Sequence, residues 1–211
     1  RDQMCYTPQL SALPAENHAS AWVADRTRAF IHEQASYDKP WYAFCSFMHP
    51  HPPLTPPAPW HKLYRPSQMP LPMLPMAFEN LQTFANRIQN RHLNVDQGRD
   101  LHFIRAIKAY YYACISFVDY QIGRVLEALE QSGQMEDTLI VFASDHGELL
   151  GDYNCFGKLS MHDASCRVPL IARYPGFFDG GQVCDIPVSL IDLATTFTNI
   201  GGARIQTHRT D

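Results

Sequence analysis

The amino-acid sequence predicts an α/β fold with a mixed, largely parallel sheet flanked by helices. Two observations support this prediction: short, almost continuous apolar runs of strand length, and longer segments in which apolar residues recur every three or four positions. The apolar runs cover residues 41–48, 138–143 and 168–174. Because a strand covered on both faces needs apolar side chains on both, such runs are typical of a parallel sheet between layers of helix.

Three segments have the spacing or the end signals of a helix. Residues 20–34 follow Ser20 as a candidate cap, and a further helix is expected between Ser189 and Gly201, where a capping-box pattern precedes paired glycines. The longest helix is predicted over residues 101–131. Its apolar positions are Ile104, Ile107, Tyr111, Cys114, Val118, Ile122, Val125 and Leu129.

A proline-rich segment separates the first apolar run from the long helix. Ten of the 16 prolines lie between Pro50 and Pro75, which excludes a regular helix there and predicts an irregular surface connection. The segment is either a stiff linker or a loop of an active site, because it starts directly at the end of a predicted strand. The stretch from Ala77 to Asp100 is polar and only weakly helical.

The overall composition indicates a globular chain with one sizeable core. The formal net charge of -4 and the pI of about 6.2 give no general electrostatic reason to expect nucleic acid as a partner. No apolar stretch reaches the roughly 18 residues that suggest a membrane span. Six cysteines without a CxxC pair favour buried thiols, and we therefore expect a cytoplasmic location rather than a periplasmic or secreted one. An oligomer is compatible with the sequence.

A polar string follows the apolar run that ends at Ala143. Open α/β sheets collect ligands beyond the carboxyl ends of their strands, which is where Asp145 and His146 are expected. A carboxylate oxygen suits a hard divalent cation and an imidazole can also bind a metal, so these two residues are the best candidate metal ligands. The alternative is that Asp145 caps a turn and His146 lies on the surface.

The string extends into a longer ordered pattern, which resembles the sulfatase family of the alkaline phosphatase superfamily. The matching segments are residues 144–152, Gly157-Lys158 and 167–171, together with 22–26, 39–41, 46–48, 50–53 and 118–124. The resemblance covers roughly residues 14–200. It implies an alkaline phosphatase-like fold that is incomplete here: residues 1–211 would be the carboxy-terminal portion of a sulfatase catalytic domain, with a proline-rich loop or insertion at about 49–100.

The resemblance also assigns roles to four residues. Asp145 and His146 match the family's metal-binding pair, for which calcium is the most common ion and manganese or a similar metal is possible. Lys158 matches the lysine that contacts sulfate or phosphate oxygens, and His51 matches the histidine that contacts the transferred group or assists the leaving oxygen. His51 and Lys158 are therefore the candidate catalytic and substrate-binding residues. Otherwise Lys158 is an ordinary solvated lysine, and His51 with His49 is a surface feature or a weak metal site.

The family nucleophile is expected elsewhere. A sulfatase forms formylglycine within a Cys/Ser-x-Pro-x-Arg string, and Cys5-Tyr6-Thr7-Pro8 has its proline one position too late. The resemblance therefore places the nucleophile in an amino-terminal portion outside this sequence, and the chain alone is expected to be inactive. The expected reaction is metal-dependent hydrolysis of small sulfate monoesters. The alternatives are a phosphonate monoester or phosphodiester hydrolase on the same scaffold, or a truncated non-catalytic homologue.

Overall fold

The computed structural model describes residues 6–92 and 100–202, so Cys5 and part of the 49–100 segment lie outside the described residues. The chain consists of two compact units, Arg1–Tyr174 and Pro175–Asp211. The first unit contains helices α1 (Ala19–Gln34), α2 (Phe84–His92), α3 (Leu101–Gln131) and α4 (Asp163–Cys166), and strands β1 (Ile140–Ala143) and β2 (Leu170–Arg173). The second unit contains α5 (Ile191–Ile200).

The two long helices have different caps. Helix α1 is capped by His18, whose Nδ1 accepts a hydrogen bond from the backbone N–H of Ser20 at 3.1 Å. The prediction of Ser20 as the cap is therefore wrong, since Ser20 lies buried in the first turn. Helix α3 has its predicted bounds, and its cap Asp100 accepts from the backbone N–H of His102 at 2.9 Å. Both caps satisfy a backbone donor that has no partner inside the helix.

Helices α1 and α3 pack together around a group of buried side chains that we call the distal cluster, Ile31, Ala128 and Leu129. Trp41 and Ile140 pack against this cluster. Polar bonds reinforce it: Gln134 accepts a hydrogen bond from Trp41 Nε1 at 2.8 Å and donates one to the carbonyl of Ile31 at 3.1 Å. The apolar side chains near the end of α3 thus pack against α1 and against the start of β1.

A second group, the site cluster, lies near the start of α3. It comprises Tyr6, Leu54, Ile104, Ile107, Leu150 and Phe156. Leu54 belongs to the proline-rich segment and is fully buried, as are Pro56 and Pro57. The backbone N–H groups of Gln9 and Ser11 donate to the carbonyls of Leu54 and Pro56, both at 3.2 Å. The proline-rich segment is irregular and largely on the surface, as predicted, but Leu54, Pro56 and Pro57 anchor it in the core.

The α/β class is confirmed, whereas the predicted parallel pairing is not found in the described part of the chain. Strands β1 and β2 pair antiparallel, with Ile140 opposite Arg173 and Ala143 opposite Leu170. Parallel neighbours are joined by a crossover connection of a dozen or more residues, usually an α-helix. The connection between β1 and β2 contains only short helical turns, a 3-10 turn at Asp152–Asn154 and the four-residue α4, so no long crossover helix joins the two strands.

The run from Trp41 to Met48 is not a strand in the structure, which corrects the prediction of a strand covered on both faces. Its backbone is not in a β-ladder with any described segment. Phe44 and Met48 are 81% and 71% exposed. A strand exists only where a neighbour supplies backbone hydrogen bonds, and none of the residues described here lies in that position.

The second unit confirms the predicted last helix. The backbone N–H of Ser189 donates to the Asp192 carboxylate at 2.8 Å, and α5 then runs to Ile200 before Gly201. This bond is one half of a capping box. In both units, none of the helices described is long and apolar enough to cross a membrane.

Candidate active site

The site begins where β1 ends, in a loop that is held by its own backbone. Ser144 Oγ donates to the carbonyl of His146 at 2.7 Å, and the backbone N–H of Gly147 donates to the carbonyl of Ser165 at 2.7 Å. A Cβ atom added at Gly147 would collide with the carbonyl oxygen of Ala164. Glycine is therefore required at Gly147 because the α4 backbone passes directly against it.

Asp145 and His146 follow the strand as predicted. The Asp145 side chain is 85% exposed, and its Oδ2 lies 3.5 Å from His146 Nε2. His146 Nδ1 lies 2.8 Å from the carbonyl oxygen of Gly147. Because a carbonyl oxygen can only accept, Nδ1 carries the ring proton and Nε2 presents its lone pair. The pair thus offers one carboxylate oxygen and one imidazole nitrogen as neighbouring electron donors.

Lys158 and His51 meet His146 from two other segments. The Lys158 ammonium donates to His146 Nε2 across 2.6 Å. The His51 ring lies edge-on to the His146 ring, with 5.9 Å between the centroids, and its Nδ1 lies 2.8 Å from the carbonyl oxygen of Pro52. The structure therefore brings the four predicted site residues to one place, although their catalytic and metal-binding roles stay predictions.

Glu148 is part of the site's framework, a role that the sequence pattern did not reveal. Its carboxylate accepts hydrogen bonds from Tyr6 Oη at 2.8 Å, from the backbone N–H of Leu150 at 3.3 Å and from the backbone N–H of Gly157. Desolvation raises the pKa of Glu148, and these donors oppose the rise. The one available signal was an acid directly before Leu149 and Leu150, both of which are buried.

Two nearby histidines have other contacts. His49 is buried against His18, with 4.7 Å between ring centroids, and burial lowers the pKa of His49 to about 4. The His162 ring stacks on Tyr153 at 4.4 Å, and its Nε2 donates to the carbonyl of Leu81 at 2.8 Å. His49 is therefore a core residue, and His162 joins the segment after Lys158 to the proline-rich region.

The donors present can share one metal ion but cannot complete its shell. Bonds of about 2.0–2.6 Å to a calcium or manganese ion are compatible with two donor atoms 3.5 Å apart, the separation of Asp145 Oδ2 and His146 Nε2. Within residues 6–92 and 100–202, no group of three or more His, Cys, Asp or Glu side chains could hold an ion. Any further ligands have to come from water, substrate or residues other than these.

A comparison with protein-family models identifies the chain, since the model described as Sulfatase matches residues 2–203. The chain belongs to the sulfatase family. Members of this family are hydrolases that act on sulfate esters. The matched range contains all four residues of the candidate site. It also covers nearly the whole sequence.

Individual relatives of this sulfatase-family chain include an arylsulfatase and a multifunctional alkaline phosphatase superfamily protein. The chain is 31% identical over 191 residues to an arylsulfatase of Clostridium perfringens, covering 85% of this chain and 37% of that protein. It is 29% identical over 186 residues to the multifunctional alkaline phosphatase superfamily protein PehA of Trinickia caryophylli, covering 81% and 35%. The chain thus spans little more than a third of these relatives' lengths.

A solved structure agrees with the sulfatase-family fold. The phosphonate monoester hydrolase SpPMH of Silicibacter pomeroyi superimposes with a TM-score of 0.83 at 31% sequence identity, covering 97% of this chain and 44% of that one. The alkaline phosphatase-like fold is therefore shown, for a part of the domain that these larger proteins contain.

Proposed function

We propose that this chain supplies the substrate-anion site and part of the metal site of an enzyme that hydrolyses sulfate monoesters. The observation that supports the proposal is the convergence of Lys158, His146 and His51, with the Asp145 carboxylate beside them. An ammonium, two imidazoles and a carboxylate at one strand end can hold a tetrahedral anion next to a divalent cation.

Lys158 is the residue that binds the anionic oxygens of the ester. Its ammonium has three N–H donors, of which the bond to His146 Nε2 uses one. The remaining donors are available to sulfate oxygens, and a compact point charge suits an anion with several equivalent oxygens. Partial burial of the Lys158 side chain strengthens this attraction relative to a lysine in open water.

His51 is the residue that assists departure of the leaving oxygen. The contact of its Nδ1 with the Pro52 carbonyl fixes the neutral tautomer and leaves Nε2 as the nitrogen that exchanges a proton or accepts a hydrogen bond. Protonated at both nitrogens, the same ring donates to the leaving oxygen as negative charge develops there. Its edge-on contact with His146, with 5.9 Å between the ring centroids, supports this role because His146 also contacts Lys158.

Asp145 and His146 would hold the divalent ion, through Oδ2 and through the lone pair on Nε2, which the Lys158 ammonium would release when the ion binds. Calcium is the ion proposed first, with manganese or a similar metal as the alternative that the imidazole donor favours. When bound, such an ion neutralises charge on the ester oxygens and on the nucleophile. The nucleophile, a formylglycine, is proposed to belong to a part of the protein outside this sequence.

A second candidate is hydrolysis of phosphonate monoesters or phosphodiesters. It is favoured by the likeness to SpPMH, whose structure superimposes with the TM-score of 0.83, and by the word multifunctional in the name of PehA. Sulfate and phosphonate monoesters both present a tetrahedral centre with anionic oxygens, so the same lysine and histidine serve either substrate.

The two candidates are separated by comparing turnover of an aryl sulfate and an aryl phosphonate by the intact protein. We expect the higher kcat/KM for the sulfate, and a loss of about 10²–10³-fold in Lys158→Ala because a donor to the developing charge is removed. Lys62→Ala is the matched control, since Lys62 is an exposed lysine of the proline-rich segment. Preference for the phosphonate supports the second candidate, and turnover of neither ester by the wild type contradicts both.

Metal analysis tests the ligand assignment separately. The intact wild-type protein and Asp145→Asn are dialysed against calcium or manganese, and bound metal is then measured per chain. We expect the variant to retain less metal, because an amide oxygen is a weaker ligand than a carboxylate. Equal metal content in the two proteins would contradict the assignment of Asp145.

A further inference from the structure

We infer that Glu148 is a positioning residue that sets the place of Lys158, and this inference rests on the proposed role of Lys158 in binding the substrate anion. The carboxylate of Glu148 accepts a hydrogen bond from the backbone N–H of Gly157, the residue directly before the lysine. Nine positions of sequence separate the two partners, so this bond closes the loop that carries the site.

Both polar groups of Gly157 are bound within this loop. Its N–H donates to Glu148, and its carbonyl accepts from the backbone N–H of Leu149 at 3.0 Å. The adjacent residues Glu148 and Leu149 thus bind the N–H and the carbonyl of Gly157. Because Lys158 begins where the Gly157 backbone ends, a shift of this backbone moves the whole lysine side chain.

The backbone of Gly157 has little freedom to relax in another way. Its φ of +83° lies in the left-handed region that favours glycine, and an added Cβ would collide with the side-chain amide of Gln89 on α2. Any other residue at this position would therefore be strained by its φ value, and the Gln89 amide would also have to move. The Glu148 carboxylate holds the same residue through its backbone N–H.

Glu148 is itself anchored to the core. Its second carboxylate oxygen accepts from Tyr6 Oη at 2.8 Å, and the Tyr6 ring packs against Phe156 with 4.9 Å between centroids. Both aromatic rings belong to the site cluster. Both oxygens of the Glu148 carboxylate accept hydrogen bonds. The carboxylate therefore links Tyr6 in the core to the backbone that directly precedes Lys158.

Competitive labelling of lysines in the intact protein tests this inference without substrate or metal. Trace acetic anhydride is applied, and mass spectrometry gives the reaction of Lys158 relative to the exposed Lys62 and the buried Lys108. In Glu148→Met, which removes the acceptors but keeps the side-chain length, we expect Lys158 to react several-fold faster while Lys108 stays protected. Glu148→Gln retains an acceptor for Gly157 and is expected to restore protection.

The pattern of labelling decides the outcome. Equal reactivity of Lys158 in the wild type and Glu148→Met overturns the inference, and so does a parallel rise at Lys108, which indicates general loosening instead. If Glu148→Met does not fold, Glu148→Asp replaces it, because its carboxylate is one methylene short of Gly157. Reactivity of Lys158 is then judged by the same two criteria.

Kinetics on the aryl sulfate provide a second test. Glu148→Met is expected to lower kcat/KM by about 100-fold, the cost of a misplaced binding group, and by less than about threefold in the Lys158→Ala background, because the two residues act through one interaction. Equal losses in both backgrounds overturn the inference. If the wild type hydrolyses no ester, the proposed function fails, and the labelling experiment still decides whether Glu148 positions Lys158.

Discussion

The loop from Ser144 to Lys158 and the run from Trp41 to Met48 both stand out in the sequence, yet the structure supports them very differently. The loop is bound through backbone and side-chain hydrogen bonds to Tyr6 and Ser165. The run has its two ends near the distal cluster and His51, but no strand in the described ranges pairs with it, and its central Phe44 is exposed.

The difference shows what each kind of pattern specifies. The polar loop satisfies several of its backbone groups within a short stretch of chain, as in the bonds from Gly147 to Ser165 and from Leu149 to Gly157, so much of its conformation is determined locally. An apolar run indicates only that its side chains favour burial, and it does not identify the surface that buries them. Substitutions in the two regions therefore give unequal losses of stability, which the following experiments measure by urea denaturation of the 211-residue chain.

The largest loss is expected from Phe156→Ala. Phe156 is buried in the site cluster against Tyr6, so its truncation leaves a cavity and lowers the free energy of unfolding by about 3–5 kcal/mol. The midpoint and slope of the urea transition give this value. A loss of less than about 1 kcal/mol would mean that the core beneath the loop is loosely packed, and the contrast between the regions would disappear.

A smaller loss is expected from Gly147→Ala. The new Cβ collides with the Ala164 carbonyl, and moving that backbone lowers the free energy of unfolding by about 1–3 kcal/mol. The matched control is Gly123→Ala in α3, where no atom lies within 4 Å of the added Cβ. That variant gains up to about 1 kcal/mol, because alanine is the better helix former. A loss of the same size in both variants would contradict the role given to the Ala164 contact.

Acid is expected to weaken the packing at the start of the proline-rich segment. Burial lowers the pKa of His49 to about 4, and it also lowers the pKa of the adjoining His18. The unfolded chain binds more protons between about pH 6.5 and pH 4, so the free energy of unfolding falls as the pH decreases through that window. For His49 the loss is about 2 kcal/mol between about pH 7.5 and pH 5.

Urea transitions at those two pH values measure this loss in the wild type and in His49→Gln. The variant is expected to lose less stability on acidification, because one of the two buried imidazoles no longer titrates. His32→Gln, which replaces an exposed histidine on α1, serves as the control. An unchanged pH dependence in His49→Gln would show that His49 does not resist protonation in the folded chain.

The smallest effect is expected from Phe44→Ala, the same substitution as in the site cluster but in the apolar run. Phe44 is 81% exposed, so its truncation changes the free energy of unfolding by less than about 0.5 kcal/mol. A loss of about 2 kcal/mol or more would show that the run is covered in solution, and the two regions would then be alike.

The elements of the fold that the sequence predicted are those whose partners are local. The bounds of α3 follow from its apolar period and its cap, and both paired strands coincide with predicted apolar runs. Pairing direction was mispredicted because it depends on how residues 144–169 return, which no periodicity encodes. The cap of α1 was mispredicted because histidine accepts through Nδ1 only when its ring is packed in place, as His18 is against Phe117.

For the site, the sequence identified the residues whose chemistry is distinctive and missed those that hold them. Asp145 and His146 directly follow β1, Lys158 lies further along the same polar loop, and His51 lies on the proline-rich segment, all within the ordered pattern of the sequence. Glu148 and Tyr6 are 142 positions apart, and their hydrogen bond exists only because the site cluster brings them together. A contact of that kind depends on tertiary packing, so the spacing of residues does not reveal it.

Helix α3 contributes to both clusters, with Ile107 in one and Ala128 in the other. At 1.5 Å per residue these two positions are roughly 30 Å apart along the axis, several times the distance over which substitutions usually influence one another. The helix therefore separates the site cluster from the distal cluster, and we expect substitutions in one cluster to affect stability independently of those in the other. Residues around the distal cluster can be exchanged to suit whatever surface adjoins them, and the geometry around Lys158 is left unaltered by such exchanges.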